Sequence, residues 1–235
     1  MHKSGHRQRL TDIAMPNTLQ EAYERLLAAF GLQHWWPGES PLEVLVGAVL
    51  VQNTAWRNVE RAIANLRDDG LMDVHVLHKL PVEELAEIIR PAGYFRVKAR
   101  RLHNLLDLIV REYDGSLDAM FRTHVATLRE QLLAVRGIGP ESADAILLYA
   151  GNLPTFVVDT YTHRVLARHG WIGYEADYHE IKDHFESSLP ADASLYNEYH
   201  ALLVRLGKDY CRRSNPKCDE CPLADMLPES GIVEP

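Results

Sequence analysis

Leu133-Ala-Val-Arg-Gly-Ile-Gly-Pro-Glu-Ser-Ala-Asp144 is the most informative stretch of the chain. A helical pattern ends at Arg136, Gly137 and Gly139 bracket Ile138, and Pro140 stands where a second helix would begin. Proline suits a first helical turn because its missing N–H would have no partner there. Glycines let the backbone turn sharply and approach a ligand closely. Ile138 is the expected apolar peg of the turn, and the free amides at the second helix start are the kind of group that binds phosphate. A plain packing turn between two helices satisfies the same residues.

Outward from this turn the chain reads as all-α. Leu19, Tyr23, Leu26, Leu27 and Phe30 recur at helical spacing after Thr18, and Gly31 ends the run. From Pro41 the residues 42–51 are apolar almost throughout. The spacing continues through Val59, Ile63 and Leu66, which predicts buried helix rather than strand. Further helices are predicted over 82–90, 97–113, 127–135, 140–150, 160–169, 177–188 and 195–209. The segment after these, with Pro216, Pro222, Pro228 and Pro235, is predicted as loop.

The 235 residues are 46% hydrophobic and 25% charged, an ordinary globular composition with room for one large domain or two lobes. No stretch approaches the roughly 20 apolar residues of a membrane span, and Met1 to Ala14 lacks the apolar core of a secretion signal. A cytoplasmic (in a prokaryote, nucleoid-associated) location is the expectation. The formal charge of −8 speaks against a polyanion partner, yet the basic residues cluster. Arg90, Arg96, Lys98, Arg100 and Arg101 form one group, and Arg205, Lys208, Arg212, Arg213 and Lys217 a second. Either group reads as a phosphate contact or as a solvated helix face. All three cysteines, Cys211, Cys218 and Cys221, stand in C-x6-C-x2-C spacing, which points to a metal or cluster loop rather than to disulfides.

Asp159 follows the turn, in Leu153-Pro-Thr-Phe-Val-Val-Asp-Thr-Tyr-Thr-His-Arg-Val165. A G-I-G turn, an apolar helix, a proline and then V-D-T before a helix resemble the helix-hairpin-helix DNA glycosylases of the endonuclease III family. Val49-Leu-Val-Gln-Asn-Thr54 is similar to the family's early helix end, and Gly93-Tyr-Phe-Arg-Val-Lys-Ala99 to its G-x-x-x-x-K-A segment. The cysteine spacing resembles the family's iron–sulfur loop. These motifs stand in the family's order over about residues 40 to 221.

The resemblance implies a two-lobed all-α fold with the DNA cleft between the lobes. A six-helix barrel would occupy 39–151, and 1–38 with 152–235 would form the second lobe. It further implies Asp159 as the catalytic residue. Gln52, Asn53, Tyr94, Lys98 and the turn Gly137, Ile138 and Gly139 would contact double-stranded DNA, with a monovalent cation at the hairpin when DNA is bound. A monomer suits this arrangement.

Two departures narrow the chemistry. Glu141 stands where bifunctional members carry a Schiff-base lysine, and a carboxylate cannot form an imine, so AP-lyase activity is not expected. Ala48 stands where the adenine-removing branch carries a glutamate. What remains suits a base that leaves without protonation, such as an N-alkylated purine, and the Q-N-T, G-I-G-P-E-S-A-D and V-V-D strings are similar to those of the endonuclease III-like 3-methyladenine glycosylases. Trp35, Trp36 and Tyr149 are candidates for the base pocket, with core packing as the alternative. A pyrimidine-lesion or T/G-mismatch glycosylase, or a catalytically silent DNA-binding module, are the other readings. Leu227 stands where the iron–sulfur pattern wants its fourth cysteine. An incomplete-ligand [4Fe–4S] cluster, a zinc ion or no metal are therefore all open.

Overall fold

Ser40 closes its side chain on the Glu43 amide, Pro41 takes the first helical position, and the ten-residue helix α2 (Pro41–Leu50) that follows is buried on nearly every side. An apolar surface all round is the mark of a helix enclosed by others, and α2 is the axle of the molecule. In the computed structural model, residues 18–33, 35 and 38–233 are described. Around α2 pack α3 (Trp56–Asp68), α6 (Phe95–Tyr113), and the helix that begins as α9 (Pro140–Ala145) and runs on as a π-helical turn over Ile146–Ala150. The short α4 (Val74–Lys79) and α5 (Val82–Ile88) lie against α6, and α7 (Leu117–Phe121) and α8 (Val125–Ala134) lead into α9.

A second group of helices brings α1 together with the helices that follow Asp159. The long α12 (Ala193–Asp209) packs on α1 (Thr18–Phe30) and on α10 (Thr160–Arg168), and α11 (Tyr178–Ser188) touches α1. Its core is aromatic. Phe156 and Phe185 stack with centroids 3.7 Å apart, Tyr199 sets its edge to both, and its hydroxyl donates to Leu19 O at 2.8 Å. The π-helical turn touches α12 and so joins the two groups. Among the described residues there is no strand, and no helix is long and apolar enough to cross a membrane.

Three expectations change. The helical pattern from Leu42 to Leu66 is two helices, broken by the 51–55 turn in which Asn53 takes φ 54°. Asparagine tolerates the left-handed region better than most residues, and burial at Val59, Ile63 and Leu66 keeps the spacing alive across the break. The short α4 and α7 were not among the predicted segments, because one or two turns carry too little periodicity to register. In place of plain loop, the C-terminal segment has 3₁₀ turns at Cys218–Glu220 and Ala224–Met226.

Candidate active-site cleft

Gly137 takes φ 99°, and a Cβ there would lie 2.4 Å from Arg101 Cγ, so the position accepts only glycine without a shift. Gly139 is different: its backbone is extended, and a Cβ would meet nothing within 4 Å. The space over it is open. Between them Ile138 is 5% exposed, the apolar peg that seats the turn on the helices. Gln52, just past the end of α2, donates from Nε2 to Ser142 Oγ at 2.8 Å and to Gly137 O at 3.4 Å. Arg101 in turn donates to Gln52 Oε1. Three segments distant in sequence are thereby tied together at the hairpin.

Asn53 is exposed beside Gln52, and Tyr94, in the left-handed region at φ 46°, is 74% exposed on the start of α6. Lys98 is not on this surface, contrary to the expectation. It is 2% exposed, and its ammonium donates to Leu50 O and Ala92 O, each at 2.8 Å. It sits on the inward face of α6, where it satisfies a carbonyl that the end of α2 leaves without an intrahelical partner. Burial, and secondarily the charge of Arg101, hold its pKa below the usual lysine range.

Asp159 is placed by its neighbours in sequence and far from it. The segment before it is anchored to two side-chain carboxylates: Thr155 Oγ1 donates to Asp144 Oδ1 at 3.1 Å, Phe156 N to Glu186 Oε1 at 2.7 Å. Asp144, fully buried, also accepts from Arg129 Nε and Nη2 at 2.8 and 3.0 Å and from the Tyr178 hydroxyl at 2.9 Å. Asp159 itself caps α10. Its Oδ1 accepts from the Tyr161 amide, the Thr162 amide and the Thr162 hydroxyl at 2.9, 2.8 and 3.0 Å, while Oδ2 faces His200 Nε2 at 3.6 Å. Burial pushes the carboxyl up, but His200 and the Thr162 donors outweigh it and leave the pKa below the ordinary aspartate value.

A cleft of about 820 Å³ is lined by Gln52, Asn53, the 137–139 turn, Glu141, Tyr149 and His200. Tyr149 meets His200 Nδ1 through its hydroxyl at 2.6 Å. Trp35 sets its ring edge-on to His200, with centroids 6.3 Å apart, and carries Lys208 Nζ over its face at 5.5 Å. The structure thus gathers Trp35, Tyr149, Glu141 and Asp159 around one imidazole. Trp36 lies outside the described residues. The Glu141 carboxyl is raised, first by desolvation between the cleft walls and then by repulsion from Asp159. Next to the cleft a groove of about 620 Å³ is lined by Arg100, Arg101, His103 and Arg136.

His200 and Ser142 were missed as site residues in the sequence, and Arg101 stood there as one of a basic group open to phosphate contact or to solvent. His200 stands on α12 among buried neighbours, Tyr199 and Ala201 to Val204, and nothing in its local pattern separates it from a core histidine.

The C-terminal loop departs from a four-thiolate site. Cys211, Cys218 and Cys221 line one small cavity, with Leu227 in the same wall. Arg168 clamps the loop by donating to Arg212 O at 2.6 Å and Arg213 O at 3.2 Å, and stands 3.7 Å from Cys211 Sγ. Burial pushes the Cys221 thiol up. Among the described residues no group of three or more His, Cys, Asp or Glu is placed to hold a metal ion. With an apolar side chain at the fourth place, the residues present do not fit a four-cysteine cluster.

The model of the HhH-GPD superfamily base excision DNA repair proteins matches residues 46–191. The chain belongs to this superfamily. The model of the iron–sulfur binding domain of endonuclease III matches residues 211–226, so this HhH-GPD chain carries that domain's motif while lacking its fourth cysteine. A Methanocaldococcus jannaschii protein named as a DNA repair glycosylase is 46% identical over 210 residues, 88% of this chain and 94% of that protein. Endonuclease III of Thermotoga maritima is 30% identical over 181 residues, 77% of this chain and 79% of that enzyme. Among solved structures, the 3-methyladenine DNA glycosylase of H. pylori bound to 1,N6-ethenoadenine superposes with a TM-score of 0.68 at 28% identity. It covers 81% of this chain and 97% of its own. A non-covalent endonuclease III–DNA complex gives a TM-score of 0.77 at 22% identity, covering 92% and 97%, and supports the two-lobed all-α fold.

Proposed function

We propose that this HhH-GPD protein is a monofunctional DNA glycosylase that hydrolyses the N-glycosidic bond of an N-alkylated purine in double-stranded DNA. The observation that carries the reading is the chemistry around Asp159. A carboxylate held ionised by its donors faces His200, an imidazole that Trp35 and Tyr149 flank, and the Schiff-base position holds Glu141 rather than an amine.

In this mechanism the two lobes, 39–151 and 1–38 with 152–235, grip the duplex between them as a monomer. The damaged nucleotide rotates out of the stack, at an unstacking cost of a few kcal/mol. Gln52, with Asn53 or Tyr94, fills the gap, which requires Gln52 to leave Ser142 and Gly137. The open space over Gly139 lets a phosphate come close to the amides of the turn, with a monovalent cation there, and the Arg100, Arg101 and Arg136 groove extends the grip along the backbone. Asp159 stabilises the oxocarbenium-like sugar and orients the attacking water. An alkylated purine leaves as a neutral base and needs no acid. Its positive charge gains roughly 0.5–2 kcal/mol from an electron-rich ring, and the two carboxylates favour it further.

Base release from methylated duplex DNA, analysed with and without alkali, tests this. Free methylpurines with strand breaks only after alkali are expected. Breaks without alkali, or a borohydride-trapped adduct, would overturn the monofunctional reading. Release only from pyrimidine lesions or T/G mispairs would overturn the substrate class.

A further inference from the structure

Behind the cleft wall that Thr160 and His200 form, the two oxygens of Asp159 are treated unequally. Oδ1 accepts three hydrogen bonds, all from the start of α10. Oδ2 faces His200 Nε2 at 3.6 Å, a distance that leaves the nitrogen buried without a partner at bonding range. The imidazole is 5% exposed and is gripped at its other nitrogen, where the Tyr149 hydroxyl stands 2.6 Å from Nδ1. A phenol that keeps its proton is able to donate to Nδ1, and a histidine that accepts there carries its own proton on Nε2. Burial, then repulsion from Asp159, drives the Tyr149 pKa well above the ordinary tyrosine value, so the phenol keeps its proton. The groups that face this imidazole are Tyr149 and Glu141 from the helix after the hairpin, Asp159 from the start of α10, and the Trp35 ring with Lys208 over it.

We propose that His200 is a positioning residue for Asp159. Locked by Tyr149 with its proton on Nε2, it presents that N–H to Oδ2 and holds the carboxylate in one orientation and one charge state. The helix cap fixes one oxygen, and His200 governs the other, which is the one left for sugar or water. Catalytic hydrogen bonds are often long before substrate binds and tighten afterwards, and a 3.6 Å approach is of that kind. The inference rests on Asp159 being the catalytic carboxylate of a glycosylase.

The test is a side-chain NMR titration of the full chain, which needs no turnover. In the wild type the ¹⁵N shifts of His200 should report the Nε2–H tautomer, and in Y149F a mixture of tautomers. The Asp159 carboxyl midpoint should move up in H200L and return towards the wild-type value in H200Q, whose amide N–H can take the Nε2 place. A packing role alone would lower the Tm of H200L and leave that midpoint where it was. An unmoved midpoint, or an Nδ1–H tautomer in the wild type, would overturn the proposal. The tautomer result and Y149F, which loses one hydroxyl, decide the matter even if H200L does not fold. Single-turnover base release at saturating enzyme should fall roughly tenfold to a hundredfold in H200L, with DNA affinity unchanged. Wild-type protein that shows the expected NMR shifts but releases no base would support the His200–Asp159 coupling and overturn the glycosylase reading instead.

Discussion

The region around Asp159 and the C-terminal cysteine loop were both legible as motifs, and the fold treats them in opposite ways. At Asp159 the distant groups arrive: His200 from α12 faces the carboxylate, and Tyr149 from the helix after the hairpin and Trp35 from the loop after α1 close around His200. At the cysteine loop the fourth donor is absent, an arginine stands against Cys211, and no set of donors is placed to hold a metal among the described residues. A motif's spacing carries the backbone path. Its chemistry depends on whether other elements deliver the remaining groups.

That contrast can be broken first at Asp159. Asp159→Asn keeps the shape and most of the capping oxygen but removes the charge, so base release should fall roughly a hundredfold to ten-thousandfold with duplex binding retained in a gel-shift assay. Near-normal turnover would put the catalytic role elsewhere. The scaffold behind the site comes next. Asp144→Ala leaves the part-buried Arg129 guanidinium and the Thr155 and Tyr178 hydroxyls without their acceptor. A loss of about 3 kcal/mol in urea denaturation is expected, and a neutral result would mean that the segment leading to Asp159 is held by its apolar core alone.

Gly137→Ala forces both an unfavourable φ and a clash with Arg101. It should cost about 1–3 kcal/mol and weaken DNA binding, whereas Gly139→Ala should leave stability nearly unchanged and weaken DNA binding only. Equal stability losses would mean that the two glycines share one structural role. On the other side of the contrast, Leu227→Cys completes the cysteine pattern. After anaerobic reconstitution it should retain more iron per chain than the wild type, and for longer in air. Equal and substantial iron in both would show that the loop recruits its fourth ligand elsewhere, and none in either that the missing cysteine is not what keeps the cluster out.

The smallest effect concerns Glu141. Its carboxyl is raised in the folded chain, so its contribution to stability is present below the unfolded pKa and lost as pH rises through the folded one. Glu141→Gln should therefore raise Tm slightly at neutral pH and not in acid. Asp159 has the opposite sign: its folded pKa is depressed, so the stability it contributes is present above the unfolded value and lost as pH falls through the folded one.

Several features followed from the sequence without any tertiary information. The all-α class and the place of the hairpin rest on local properties, apolar periodicity and a glycine pair before a proline, while the candidacy of Asp159 rests on the order of motifs that resembles the endonuclease III family. The local properties act within a few residues, which is why they are written in short stretches. The structure alone decided that Lys98 is turned inward on Leu50 and Ala92, that Gln52 is held against the hairpin, and that His200 faces Asp159. Each of these is a contact between segments far apart in the chain. A lysine in a basic run and a histidine on an apolar helix face read alike whether they meet solvent, core or substrate. Which of the three applies is set by the packing of α2, α6, α9 and α12 against one another.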